Sequence, residues 1–356
     1  MSNQKNKNGQ KRRGAADDFQ DIRMIQVDPS QEPVRIDKFL MDRLDRVTRN
    51  RVQNAIRAGA ITVNEKEVKP NYKVRPNDEI QTILPRRPQG ESRLIPQDIS
   101  LDIRYEDDHI LILYKPPGMV VHPGIGNRKG TLANALAHYY QNLPHLNDNY
   151  TDRPGLVHRI DKNTSGIMMA VKNDYAMDRM AKQFYYHTIE RKYQAIIWGE
   201  MPEDEGTIKA NIGRNPKNRR DMTVFRHGED GKWAVTHWKT LENLYYVSLV
   251  ECQLETGRTH QIRVHMRFMG HPLFSDEKYG GTTIRKGTPH RRYKQFVDNT
   301  MKILPRQALH AKSLEFDHPV TGERMYFESD LPGDMTQALE RWRNYVNNQK
   351  ELLKKG

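Results

Sequence analysis

Apolar positions along the chain switch between helical and strand spacing, and the switches mark out two folded regions. In the first, Ile36, Phe39, Leu40, Leu44 and Val47 recur at the spacing of one helix face. Thr48 can cap a second short helix with Val52, Ala55 and Ile56 on its inner side, and Gly59 ends it. Strands are predicted at 60–64, 72–74 and 79–83, the last after the turn Arg75-Pro76-Asn77-Asp78. These elements form a compact module of roughly fifty residues, near the lower size limit for independent folding. Its outward positions carry Lys38, Arg43, Arg46, Arg49, Arg51 and Arg57. Basic residues on two adjacent helices suit a nucleic-acid backbone; an ordinary solvated face would mix its signs more evenly.

Pro85-Arg86-Arg87-Pro88-Gln89-Gly90-Glu91-Ser92 breaks any regular pattern and reads as a linker. Beyond it, strands and helices are interspersed. Ile110 to Tyr114 is a continuous apolar run, as in a buried strand, ended by Lys115-Pro116-Pro117-Gly118. Helices are predicted at 131–140 and 174–183, and strands at 193–198 and 245–254. Gly322 sits in a hairpin turn between two late strands. The organisation is a tail over 1–31, a small module over 32–84, a linker over 85–95, a larger domain over 96–335 and a terminal helix over 336–356. The class is α+β.

The chain has 356 residues, enough for two domains, and a net charge of +13. That excess favours a polyanionic partner through counterion release. Residues 1–31 are polar, with Lys5, Lys7, Lys11, Arg12 and Arg13 unaccompanied by acids, and are expected to be disordered. They read either as an RNA-touching tail or as a solubilising arm. The single cysteine, Cys252, alternates with Val250 and Leu254 as a buried strand residue does. One thiol forms no internal disulfide, which fits a reducing compartment. No apolar run reaches membrane-helix length and no secretory signal is present, so the expected location is the cytoplasm. No apolar heptad appears, and a monomer is expected.

The most informative segment is Val157-His158-Arg159-Ile160-Asp161-Lys162-Asn163-Thr164-Ser165-Gly166, followed by the apolar run Ile167 to Val171. One carboxylate stands among basic neighbours in a turn before a strand. Such an acid is either a nucleophile kept ionised by those neighbours or a salt-bridged turn. A kinase catalytic loop does not fit, because Ile160 separates Arg159 from Asp161 and no Asp-Phe-Gly follows. The glycines at 124, 126 and 130 match neither dinucleotide nor phosphate-loop spacing. His260 and His265, read as strand residues, fall on opposite faces, and no histidine spacing suits a metal. Neither a metal nor a cofactor is expected.

Four segments together resemble one known family: 115–123, the Asp161 turn, Arg191-Lys192-Tyr193, and Thr256 to His265 with its Gly257-Arg258-Thr259-His260-Gln261-Ile262-Arg263 core. They are similar to the signatures of the RluA-type pseudouridine synthases. Gly270-His271-Pro272 and Arg306 to Ala311 also look like family positions, and the resemblance runs from about Ser100 to Asp334. Residues 34–83 resemble an S4 RNA-binding domain, as in the bacterial members that modify large-subunit ribosomal RNA. Ile160 stands where the family more often has Leu. Thr282 to Thr300 looks like a basic insertion, either a further RNA contact or a disordered surface loop.

The resemblance implies an S4-like module joined to a catalytic domain built on a mixed, mainly antiparallel sheet. It implies conversion of uridine to pseudouridine in large-subunit ribosomal RNA, with the target base flipped from its stack. Asp161 is then the nucleophile, attacking either C6 of the base or C1′ of the sugar. Arg263 pairs with it, and Tyr193 stacks on the base or moves a proton. Arg159 takes the space the base vacates or touches phosphate. His158, Lys115, Arg258 and His260 are further expected substrate contacts, and Arg43, Arg49 and Arg51 are expected RNA contacts on the small module. Alternative readings are the same chemistry on transfer RNA, and a non-catalytic RNA-binding ribosome assembly factor.

Overall fold

A computed structural model describes residues 20–44, 47–85, 94–124, 126–141, 155–225 and 230–355. The expected basic stretch at Lys5 to Arg13, Arg46 and most of the linker lie outside the described residues. The small module comprises β1 (Gln20–Gln26), α1 (Ile36–Met41), α2 (Arg49–Arg57), β2 (Ile61–Val63), β3 (Lys66–Glu67) and β4 (Glu79–Pro85). Its sheet runs β1-β4-β2-β3. The inner faces of both helices supply Phe39, Leu40, Val52 and Ile56 to one core with Ile61 and Ile80. Thr48 caps α2, its hydroxyl accepting from the Arg51 amide, as the sequence predicts.

Two expectations for this module need correction. Residues 20–26, read as part of a disordered tail, form β1 and pair with the whole length of β4. The backbone ladder supplies the order that this segment's few apolar side chains could not. Residues 72–74 make only an isolated bridge, Lys73 with Arg35, in place of a strand.

The larger domain comprises β5 (Asp102–Glu106), β6 (Ile110–Lys115), α3 (Leu132–Gln141), β7 (Ser165–Val171), α4 (Asp174–Tyr186), β8 (Glu190–Trp198), β9 (Glu205–Arg214), β10 (Met222–Phe225), β11 (Lys232–Asn243), β12 (Val247–Leu254), α5 (Gln261–Phe268), α6 (Arg291–Ile303), β13 (Leu309–Asp317), β14 (Arg324–Glu328) and α7 (Gly333–Lys355). One sheet runs β10-β9-β11-β12-β8-β13-β7-β6-β5, with β14 also on β13. Every pairing is antiparallel except β13 with β7.

Strand alternation splits the core between the two faces. Met168 and Ala170 of β7 join α3, α5, Tyr193 and Cys252 on one side. Ile167, Met169 and Val171 pack with α4 on the other. Cys252 is fully buried, and burial pushes its thiol well above the ordinary range, as suits an inert packing residue.

The second half of the basic insertion is helix, while residues 282–290 form an irregular connection. Tyr293, Phe296, Val297 and Thr300 of α6 make a helical stripe against Trp342 and Val346 of α7. The density of basic residues hides that stripe in the sequence. Gln261 to Phe268 is likewise a helix, so His260 and His265 do not sit on a strand.

The two modules meet across α4. Arg51 of α2 forms a two-pronged pair with the buried Asp178, Gln81 donates to the Tyr185 hydroxyl at 3.1 Å, and Arg179 reaches the Ala58 carbonyl at 3.4 Å.

Candidate active site

The cleft lies where the turn before β7, the middle of β8 and the start of α5 converge. Its walls include His158, Arg159, Asp161, Tyr193, Arg258 and His260. Its space is about 670 Å³ counted with the solvent at its mouth, within the ~300–1,000 Å³ usual for small-molecule sites.

The Asp161 turn is held from every side. The Thr164 amide donates to the Asp161 carbonyl at 3.0 Å, closing the turn. The Gly118 amide and the Lys115 ammonium both donate to the Lys162 carbonyl, at 2.9 and 3.0 Å. Arg306 donates to the Asn163 carbonyl at 2.9 Å while its fork grips Asp334. Gly166, with φ +124°, lies against the Ala311 backbone, and a Cβ there would collide with it. A scaffold of this kind fixes one side chain without asking anything of that side chain.

Asp161 is 16% exposed, and its Oδ2 accepts from Arg263 Nη1 at 2.9 Å. The other two nitrogens of Arg263, Nε and Nη2, donate to Asp276 at 2.7 and 2.9 Å. The guanidinium therefore bridges two carboxylates with its whole fork engaged. Burial alone would raise the Asp161 pKa. In the acid range where the carboxyl titrates, the charges of a protonated His260 and of Arg263 outweigh it and hold the carboxyl below its ordinary value. At neutral pH the group is an anion facing a cleft.

Tyr193 is buried on β8, opposite Cys252 on one side and Ala311 on the other. Arg159 is exposed at the cleft wall. Arg258 is buried, its Nε donating to the Trp233 carbonyl at 3.0 Å. His260 precedes α5 in the left-handed region, φ 57°, which turns its ring into the cleft beside Asp161.

Not every expected contact faces the cleft. Lys115 is fully buried beneath the turn, its ammonium committed to the carbonyls of Pro116, Met119 and Lys162. Burial brings its pKa down to about 7, partly opposed by the charge of Asp161. His158 accepts the Met169 amide through Nε2 at 2.9 Å and stacks on Phe184. Burial lowers its pKa to about 3, so it is a neutral acceptor that pins the turn to β7. Lys115 holds the site's frame from beneath, and His158 pins the turn to β7 while its ring still lines the cleft.

The small module's arginines also have partners within the protein, while Arg43 and Arg49 remain exposed. Arg43 folds over the Phe39 ring at 3.6 Å. Arg49 donates to the buried Asp37 at 3.0 Å, and Arg51 is spent on Asp178. Arg49 and Arg51 are placed so because a buried carboxylate must be offset by a nearby cation.

Sequence reasoning missed Asp276 and Tyr279. The Tyr279 ring lies 4.9 Å from the Arg263 guanidinium, and its hydroxyl is 2.7 Å from His260 Nδ1. Both sit in an aperiodic stretch between Leu273 and Gly281, where only the nearby Gly270-His271-Pro272 motif hinted at the site. Among the described residues, no group of three His, Cys, Asp or Glu is placed to hold a metal ion.

Comparison with known proteins agrees with this arrangement. The family model described as RNA pseudouridylate synthase matches residues 109–268, and the S4 domain model matches residues 34–80. The chain is 45% identical over 323 residues to an uncharacterized RNA pseudouridine synthase of Chlorobaculum parvum, covering 90% of this chain and 98% of the relative. It is 39% identical over 315 residues to the ribosomal large subunit pseudouridine synthase D of Escherichia coli, covering 88% and 92%. Among solved structures, human RNA pseudouridylate synthase domain containing 4 aligns with a TM-score of 0.50 at 23% identity, over 68% of this chain and 92% of the human one, a likeness of fold.

Proposed function

This chain belongs to the RNA pseudouridine synthase family, and on that premise we propose that it isomerises specific uridines of large-subunit ribosomal RNA with Asp161 as the nucleophile. The observation that carries the reading is the Arg263–Asp161 pair at 2.9 Å inside a cleft that Tyr193 also lines. The ribosomal target is supported by relatives named for the large subunit and by the S4 domain.

The reaction breaks the bond from N1 of uracil to C1′ of ribose and joins C5 to the same carbon. The C5 proton leaves and N1 gains one, so atoms and electrons balance without a redox partner. The base must first leave its stack to reach the cleft. Asp161, held ionised by Arg263, attacks the flipped nucleotide. Arg263 keeps one carboxylate oxygen engaged, which orients the other. Tyr193 offers a ring for the base to stack on and a hydroxyl to move a proton. Arg159, exposed at the rim, contacts the phosphate or fills the vacated stack. The protein acts as a monomer in the cytoplasm.

The test is incubation with ribosomal RNA lacking its pseudouridines, followed by chemical labelling and primer extension. Discrete new sites are expected, with turnover reduced at least about 10³-fold in Asp161→Asn and RNA affinity nearly unchanged. Full turnover by that variant would remove Asp161 from the role. Modification of transfer RNA alone would move the substrate.

A further inference from the structure

Tyr279 is 1% exposed, and its hydroxyl oxygen accepts the Met222 amide at 3.1 Å. The phenolic hydrogen then needs an acceptor, and His260 Nδ1 stands at 2.7 Å. Were Nδ1 protonated instead, a buried hydroxyl hydrogen would be left without a partner among the described residues, which folded proteins avoid. Filling Nδ1 with the Tyr279 hydrogen puts the proton of a neutral imidazole on Nε2. That nitrogen lies 3.9 Å from Asp161 Oδ1, the oxygen that Arg263 does not bond.

We propose that Tyr279 is a positioning residue for the isomerisation: it fixes His260 as the Nε2–H tautomer, so that an N–H rather than a lone pair faces the free oxygen of the nucleophile. The inference rests on the reading of Asp161 as nucleophile. At 3.9 Å the N–H draws on the carboxylate without bonding it, and Oδ1 stays available to the substrate. The opposite tautomer would aim a lone pair at the anion and push it from its place. Burial lowers the His260 pKa despite the opposing charge of Asp161, which favours the neutral ring that the tautomer argument requires. Tyr279 is itself held on two sides. Its amide donates to Asp276 at 3.2 Å, and its ring lies against Arg263. One phenol thus touches the supports of both Asp161 oxygens.

The experiment is long-range proton–nitrogen NMR on the full chain with ¹⁵N-labelled histidine, the His260 signals being assigned by their loss in His260→Gln. The expected result at neutral pH is a bare Nδ1 and a protonated Nε2. In Tyr279→Phe the two tautomers should mix, and kcat should fall about tenfold with the KM for RNA unchanged. A protonated Nδ1 in the unaltered protein would overturn the proposal, whatever the behaviour of Tyr279→Phe. A mixed tautomer with unchanged kcat, or a loss confined to KM, would overturn it as well. The tautomer is read without turnover, so failure of the Asp161 assignment would show separately, as activity in Asp161→Asn.

Discussion

Two arginine–aspartate pairs with similar ingredients do opposite work. Between the modules, Arg51 gives both prongs to Asp178, which is fully buried. In the cleft, Arg263 divides its fork between Asp161 and Asp276. Burial pushes Asp178 up to about 6 against the pull of Arg51. Asp161, with His260 as a second neighbour, ends below its ordinary value. The difference lies in what surrounds the carboxylate rather than in the partner. An acid sealed under one cation is a fastener; an acid that shares a cation, keeps an oxygen unbonded and faces a cleft has the setting the proposed role of Asp161 requires.

Removing one partner is the strongest way to break this contrast. Arg51→Ala should destabilise the protein by about 3–5 kcal/mol, because Asp178 is left buried and uncompensated. Urea unfolding measures it, and a loss under about 1 kcal/mol would mean that water reaches Asp178. Arg51→Met paired with Asp178→Leu should recover most of the loss, as apolar replacements of buried pairs often do.

In the cleft, Arg263→Lys should leave stability closer to normal but cut kcat about a hundredfold, since an ammonium cannot serve two carboxylates with a planar fork. Single-turnover kinetics would report it, and an unimpaired rate would show that charge without geometry suffices.

Acid should weaken the fold through its buried histidines. His158 lies at about 3, and His265 and His310 lie at about 4, all lowered by burial from 6.5. The unfolded chain therefore takes up these protons first, and stability falls as pH drops below 6.5. Each contributes a slope of about 1.4 kcal/mol per pH unit down to its folded value. Asp178 runs the other way. Its raised pKa lends stability that is complete below 3.8 and lost as pH rises through about 6, cancelling one histidine in that window. Denaturation across this range should show a slope about one proton shallower in His158→Asn; an equal slope would mean that His158 ionises in the fold.

The smallest effect concerns Arg159. If it touches phosphate, Arg159→Ala should reduce the salt dependence of RNA binding by about one unit of slope. If it fills the vacated stack, the slope should hold while turnover falls.

Much of this was legible in the sequence, for reasons that also explain the gaps. The run Ile110 to Tyr114 and the faces of α1 and α2 announce themselves because burial follows periodicity. Asp161, Arg263 and Tyr193 could be singled out because they fall in segments that resemble the family's signatures. Arg51 is not, since its partner lies 127 residues away and charge counting cannot see a buried acid. The same blindness hid the backbone carbonyls that engage the Lys115 ammonium and the Met169 amide that occupies His158 Nε2. Asp276 and Tyr279 belong to an aperiodic segment whose form is set by what it touches. The edge strand β1 shows that a backbone ladder can order residues that side-chain pattern alone would leave loose.

The position of β13 carries a consequence for synthesis. It lies between β7 and β8, strands completed more than a hundred residues earlier, and Ala311 pairs with both Gly166 and Tyr193. Arg306, just before it, holds the Asn163 carbonyl. A chain still emerging from the ribosome therefore carries Asp161 and Arg263 on two unjoined half-sheets. A strand in roughly the last seventh of the polypeptide acts as the keystone, and the enzyme acquires its cleft only when its own translation is nearly done.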